Sequence, residues 1–222
     1  MKKTFYITTP IYYVNDKPHI GHAYTTILAD VLARFYRRKG YSTYFLTGLD
    51  EHGQKVQQAA EERGISPKRH CEEMAPGFIN LWEKMHISND DFIRTTDSRH
   101  KKVVKDMLMK VFDSGDIYEA EYEGLYSVSE ERFITDKEAE NDNFRDIRKI
   151  KEKNYFFRMS KYQKALIKHI ETNPSFIQPN HRKNEILSFL MKPLNDLCIS
   201  RPKSRLNWGI ELPFDKKYVT YV

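Results

Sequence analysis

Two histidines, His19 and His22, with Gly21 between them, are the side chains best suited to chemistry in this chain. Imidazoles three positions apart lie on one side of a helical first turn. Both can then donate hydrogen bonds to phosphate oxygens as negative charge develops. Gly21 lets a ligand come close to the main chain. A second cluster follows at Gly48-Leu49-Asp50-Glu51-His52-Gly53, where two carboxylates and an imidazole sit between glycines. A carboxylate there, Asp50 first, can hold an ammonium group. The plainer readings are two surface histidines ahead of a helix, and an aspartate helix cap with incidental neighbours. Cys71 and Cys198, the only two cysteines, lie far apart in sequence and read as small buried apolar residues rather than a disulfide.

These residues need elements to position them. Phe5 to Thr8 is aromatic and β-branched and reads as a strand that Pro10 ends. A polar turn, Asn15-Asp16-Lys17-Pro18, precedes the histidines. From Ala23 to Lys39 a helix is expected, with Ile27, Leu28, Val31, Leu32 and Phe35 as one apolar stripe and Gly40 as terminator. Tyr41 to Thr47 is a second strand. Strand, helix, strand at this spacing implies a parallel pair with a right-handed crossover, and ligands of such sheets sit beyond the carboxyl ends of strands. Both motifs fall at that edge.

Further on, helices are expected at Gln54 to Arg63, from Ser66-Pro67 to about Met85, and from Asp97 or Ser98 to about Ser114, the last burying Val103, Val104, Met107, Leu108, Val111 and Phe112. Phe92-Ile93 reads as a short strand between them. After Gly115 the chain turns tyrosine-rich and alternating up to Ser129. Glu130 to Lys153 is highly charged and reads as exposed loop. Asn154 to Met159 reads as a strand, and Ser160 as the cap of a helix to Asn173. Asn180 to Leu190 reads as helix, Asp196 to Ser200 and Tyr218 to Val222 as strands. The expected fold class is α/β: a Rossmann-type parallel sheet flanked by helices, with a small antiparallel β-rich insertion. Residues 1–115 form its first half, 116–178 the insertion and 179–222 the start of the second half.

Charged residues make up 31% and mean hydropathy is −0.70, and no apolar run approaches the roughly 20 residues of a membrane span. No signal-peptide region precedes the first strand, so a cytoplasmic protein without membrane contact is expected. A net charge of +6 suits a polyanionic partner, and equally a solvated surface.

His19-Ile20-Gly21-His22 resembles the HIGH motif of class I aminoacyl-tRNA synthetases. Together with Thr8 to Asn15, Asp50-Glu51-His52-Gly53, Asn154 to Phe157 and Ser200-Arg201-Pro202, it resembles the methionyl-tRNA synthetases over essentially the whole chain. The resemblance implies methionine activation with ATP, magnesium accompanying the nucleotide, and transfer to tRNA(Met). It implies that His19, Gly21 and His22 contact ATP phosphates, with the two histidines catalytic. It implies that Asp50 binds the methionine ammonium group, that Ile11 and Tyr13 line the side-chain pocket, and that His52 and Leu197 belong to that site. Many members carry a zinc knuckle in the insertion. Its first Cys-x-x-Cys pair would fall at Ser127 and Glu130, so no structural zinc is expected. Position 49, usually Thr in such sequences, is Leu49. The family's KMSKS loop, its helical anticodon-binding domain and a Trp-containing pocket segment would lie beyond Val222. Two other readings remain: another HxGH-type nucleotidyltransferase, and an inactive fragment that binds tRNA or a partner.

Overall fold

The computed structural model describes residues 2–127, 132–134, 139 and 146–221. The chain separates into two compact units. The first comprises Met1–Asp106, Lys203–Glu211 and Val219–Val222, and the second Met107–Pro202 and Leu212–Tyr218.

The first unit is built on a three-stranded parallel sheet in the order β1 (Thr4–Tyr13), β2 (Ser42–Asp50), β3 (Asp91–Arg94). Helix α1 (Ile20–Arg38) connects β1 to β2, and α2 (Gln54–Glu62) and α3 (Pro67–Lys84) connect β2 to β3. This is the expected Rossmann-like arrangement. Local signals set the ends of these helices. Gly40 and Gly64 take positive φ, 81° and 65°, behind α1 and α2. Ser66 accepts the Arg69 backbone N–H at 3.3 Å, with Pro67 as the first helical residue of α3.

Pro10 does not end β1. The strand runs on to Tyr13, and its register against β2 shifts between Thr8 and Ile11. A residue without an N–H is tolerated at such an irregularity, where ladder bonds are already interrupted. Beyond it the pairing resumes, with Ile11 opposite Gly48, Tyr12 opposite Leu49 and Tyr13 opposite Asp50. Gly48 is required by this close packing. A Cβ there would lie 2.1 Å from the Ile93 carbonyl oxygen on β3.

Tyr12, Val14, Leu49, Val56, Cys71, Ala75, Phe78 and Trp82 form the main core of this unit. A smaller cluster of Ala29, Ala33 and Phe45 lies under α1. Helix α1 buries Thr26, Ala29, Asp30 and Ala33, while its stripe of Ile27, Leu28, Val31, Leu32 and Phe35 stays exposed. Small side chains let the helix approach the sheet. The Asp30 carboxylate on that face is satisfied by the Ser88 backbone N–H at 2.8 Å and Arg34 at 2.7 Å.

The second unit holds an antiparallel sheet in the order β5 (Arg132–Ile134), β4 (Ile117–Ser127), β6 (Ile147–Phe157), β7 (Leu197–Cys198). Helix α4 (Ser98–Asp113) spans the boundary between units and buries none of its residues fully; Val103 and Met107 are exposed, against the expectation that both face inward. Strand β6 begins at Ile147, well inside the stretch expected to be loop, and pairs with β4 through Ser127 opposite Ile147. Its charge is the charge of a solvated strand face. Lys149 meets Glu123 at 2.8 Å and Lys151 meets Glu121 at 3.7 Å across the pair. Helices α5 (Met159–Thr172) and α6 (Asn180–Leu190) follow β6. Arg158, not Ser160, is the N-cap of α5. The Ser160 hydroxyl instead donates to Asp196 at 2.6 Å. Strand β7 is shorter than the expected Asp196 to Ser200. Short strands β8 (Arg201–Pro202), β9 (Ile210–Glu211) and β10 (Tyr218–Thr220) complete the order; β9 and β10 pair antiparallel. Ser129, Glu130 and Val222 lie outside the described residues.

Candidate active site

The helix that carries the histidines starts earlier than its apolar stripe suggests. His19 is the N-cap of α1, in extended conformation (φ −125°, ψ 175°), and His22 is the third helical residue. The two side chains form a reciprocal capping box. His19 Nδ1 accepts the Gly21 backbone N–H at 3.1 Å, and His22 Nδ1 accepts the His19 backbone N–H at 3.2 Å. Two of the otherwise unpaired donors of a helix start are satisfied in this way.

The box decides where the protons are. A neutral imidazole has one acceptor and one donor nitrogen. With both Nδ1 atoms accepting, the proton of each neutral ring is on Nε2, which leaves two N–H donors beside the positive end of the α1 dipole. The rings stack at 3.7 Å between centroids. The Tyr12 ring at 4.8 Å and the Phe78 ring at 5.5 Å flank His22. Tyr12 is itself fixed by a 2.7 Å hydrogen bond between its hydroxyl and Thr26 Oγ1. Burial, and then the charge of His19, lower the pKa of His22 from its ordinary value, so it is neutral at neutral pH.

The second motif leaves the end of β2 directly beside the end of β1. Tyr13 and Asp50 are register partners, and the Val14 backbone N–H donates to the Asp50 carbonyl at 3.3 Å. Asp50, Tyr13 and Ile11 are all half-buried. The Asp50 carboxylate accepts the His52 backbone N–H at 3.4 Å. His52 is 1% exposed, lies 5.5 Å from the Trp208 ring, and has a buried Nδ1 without a hydrogen-bond partner. Burial first, then the charges of Lys101 and His100, push its pKa down to about 4. It is a neutral side chain at neutral pH.

The first unit therefore brings together His19, Gly21 and His22 at one helix start, and Ile11, Tyr13, Asp50 and His52 at the adjoining strand ends. Leu197 belongs to the second unit, in β7, where it pairs with Phe157 and is half-exposed. Among the described residues no group of three or more His, Cys, Asp and Glu is placed to hold a metal ion. Ser127 is fully buried, and Glu130 falls outside those residues.

Several residues escaped the sequence reading. Tyr12 braces His22, and Trp208 packs on His52 from far along the chain. Glu51 is enclosed by Arg94 and Thr96. Only Glu51 carried a signal, its place between Asp50 and His52; the others depend on contacts between distant segments.

A family model described as tRNA synthetases class I (M) matches residues 5–143 and 144–222. A methionine–tRNA ligase of Fusobacterium nucleatum is 50% identical over 227 residues, covering 100% of this chain and 35% of that protein. One of Clostridium tetani is 52% identical over 226 residues with the same coverage. The chain thus spans about a third of the length of these curated relatives. The structure of Mycobacterium tuberculosis methionyl-tRNA synthetase in complex with methionyl-adenylate is 39% identical, with a TM-score of 0.92 over 99% of this chain and 44% of that one.

Proposed function

We propose that this chain, which belongs to the family of tRNA synthetases class I (M), carries the adenylate-forming site of a methionine–tRNA ligase. The whole enzyme would convert methionine and ATP to methionyl-adenylate and pyrophosphate, then transfer the methionyl group to tRNA(Met). The observation that carries this reading is the His19–His22 capping box, which occupies both Nδ1 atoms and keeps the Nε2–H donors out of the cap, on the helix that follows the strand ending at Tyr13, the register partner of Asp50.

In the first step a methionine carboxylate oxygen attacks the α-phosphorus, and the bond from that phosphorus to the bridging oxygen of the β-phosphate breaks. Pyrophosphate leaves with the electron pair. Negative charge grows on phosphate oxygens as this happens. The His19 and His22 donors and the α1 dipole answer it without reorganising, and Gly21, which has no side chain, lets the phosphates come close to the helix start. Asp50 holds the ammonium group of methionine, with Ile11, Tyr13 and the neutral His52 beside the thioether side chain. These assignments stand on residues of the first unit. Holding both reactants in line supplies much of the remaining acceleration, and no covalent enzyme intermediate is needed. In the second step a hydroxyl at the 3′ end of the tRNA attacks the carbonyl carbon and AMP leaves. Magnesium enters as part of the nucleotide substrate. The insertion at 116–178 folds without a zinc knuckle in this reading, since the chain has only Cys71 and Cys198. The compartment that goes with the reaction is the cytoplasm.

Calorimetric titration with a non-hydrolysable methionyl-adenylate analogue tests the reading, with leucyl and isoleucyl analogues as controls. Selective uptake of the methionyl analogue is the expected result. Preference for another analogue would overturn the methionine assignment, and binding of ATP alone would favour a different HxGH nucleotidyltransferase.

A further inference from the structure

Glu51 stands between the two residues assigned to methionine, yet every polar group it has is already engaged. Its side chain is 0% exposed. Oε1 accepts from Arg94 Nε at 2.7 Å, and Oε2 accepts from the Thr96 hydroxyl. Its backbone N–H donates to Thr95 Oγ1 at 2.9 Å. Its carbonyl accepts from Trp208 Nε1, and from Cys71 Sγ at 3.5 Å. A buried carboxylate is stable only when paired and hydrogen-bonded, and Glu51 is both. Both oxygens have a partner, and the enclosed side chain presents neither to a substrate.

The direction of these bonds gives the group a purpose. Arg94, Thr95 and Thr96 come from the end of β3 and the turn after it, Cys71 from α3, and Trp208 from the segment before β9. They converge on the single residue that joins Asp50 to His52. The same turn is tied again by the Gly53 backbone N–H to the Trp208 carbonyl at 3.3 Å, and by the Thr95 backbone N–H to the Leu49 carbonyl at 3.2 Å. Asp50 and His52 therefore leave a fixed peptide in fixed directions.

We propose that Glu51, clamped by Arg94 and Thr96, is the positioning residue of the methionine site, setting the direction of the Asp50 carboxylate and the His52 ring without touching the amino acid. The inference rests on the reading of Asp50 and His52 given above. It predicts a selective effect. Loosening the clamp moves the ammonium holder and leaves the phosphate donors of α1, which belong to a different segment, where they are.

The test measures methionine-dependent exchange of pyrophosphate into ATP by the natural polypeptide that carries these residues, with KM for methionine and for ATP determined separately. Glu51→Gln keeps the shape and removes the charge that pairs with Arg94. The expected result is a rise of about 10-fold or more in KM for methionine, with KM for ATP within about twofold. Thr96→Val removes one hydrogen bond and keeps the charge pair, so it shifts methionine KM in the same direction by a smaller factor. It also decides the matter where Glu51→Gln does not fold. Unchanged methionine KM in a folded variant, or equal rises for both substrates, would overturn the proposal. Absence of methionine-dependent exchange in the unaltered enzyme would instead overturn the reading of the site on which it rests.

Discussion

His22 accepts the His19 backbone N–H on Nδ1 at 3.2 Å while its ring stacks on the ring of His19 at 3.7 Å. One contact fixes the tautomer and the other fixes the plane. Protonating Nδ1 would break the bond, so the helix start and the charge state of the ring are coupled. Nitrogen chemical shifts should show the neutral His22 ring with its proton on Nε2, and His22 should titrate below the ordinary histidine value. A His22 ring protonated on Nδ1 at pH 7 would contradict this arrangement.

Removing the donor separates binding from chemistry. His22→Ala should slow adenylate formation by roughly 10²-fold or more, as loss of a preorganised donor does elsewhere. Methionine affinity should change by less than about twofold. Single-turnover formation of adenylate, set beside equilibrium methionine binding, makes the comparison, and equal losses in both would remove His22 from its assigned role.

Gly21 offers a subtler change. A Cβ there would lie 2.9 Å from Cε1 and 3.1 Å from Nδ1 of His19, an exposed ring that can swing away. Gly21→Ala gains about 1 kcal/mol of helix propensity and loses a comparable amount with the cap. Stability should stay nearly constant in thermal unfolding, while adenylate formation falls about 10-fold because the His19 donor is displaced.

Acid should weaken the fold through His52. Its pKa in the folded chain is about 4, against 6.5 ordinarily, so the folded state binds fewer protons than the unfolded state between those values. The stability that goes with a neutral His52 is complete above pH 6.5 and is lost as pH falls from 6.5 towards 4. The contribution amounts to at most about 3 kcal/mol. Urea unfolding across this range should show the loss in the parent chain and a flatter profile in His52→Gln.

Leu49, at a position where the resemblance leads to an expectation of threonine, is 0% exposed within the main core. Leu49→Thr would shrink the side chain and bury a hydroxyl, at a cost of about 2–3 kcal/mol. A denaturation midpoint equal to that of the parent would show that the core tolerates either residue.

Much of the first unit was legible because its signals are local. Glycines at 40 and 64, Ser66-Pro67 and the strand-helix-strand spacing act through the backbone of their own segments. Pro10 misled for the same reason. Its missing donor predicts a strand end, but an irregular register absorbs it, and register belongs to the pair of strands. The 147–153 stretch reads as loop because five of its seven residues are charged, yet Lys149 and Lys151 meet Glu123 and Glu121 on β4, a relation visible only once the strands are paired. The His19–His22 site was legible as a motif, whereas the cap geometry that sets its protons was not. Arg94, Thr96 and Trp208 reach the site through the tertiary fold alone.

The outward stripe of α1 has a calorimetric consequence. Ile20 is 87% exposed, Tyr24 72%, Val31 56% and Leu28 53%, and Tyr6 on β1 is 61% exposed. Unfolding raises the heat capacity only through surface that folding had hidden, by roughly 12–15 cal/mol/K per residue in ordinary domains. Side chains already hydrated in the folded chain add nothing to that increment. The chain should therefore show a heat-capacity change below the value expected for its length, and a stability curve flatter with temperature. Anything that comes to cover the stripe would restore the missing curvature as it binds.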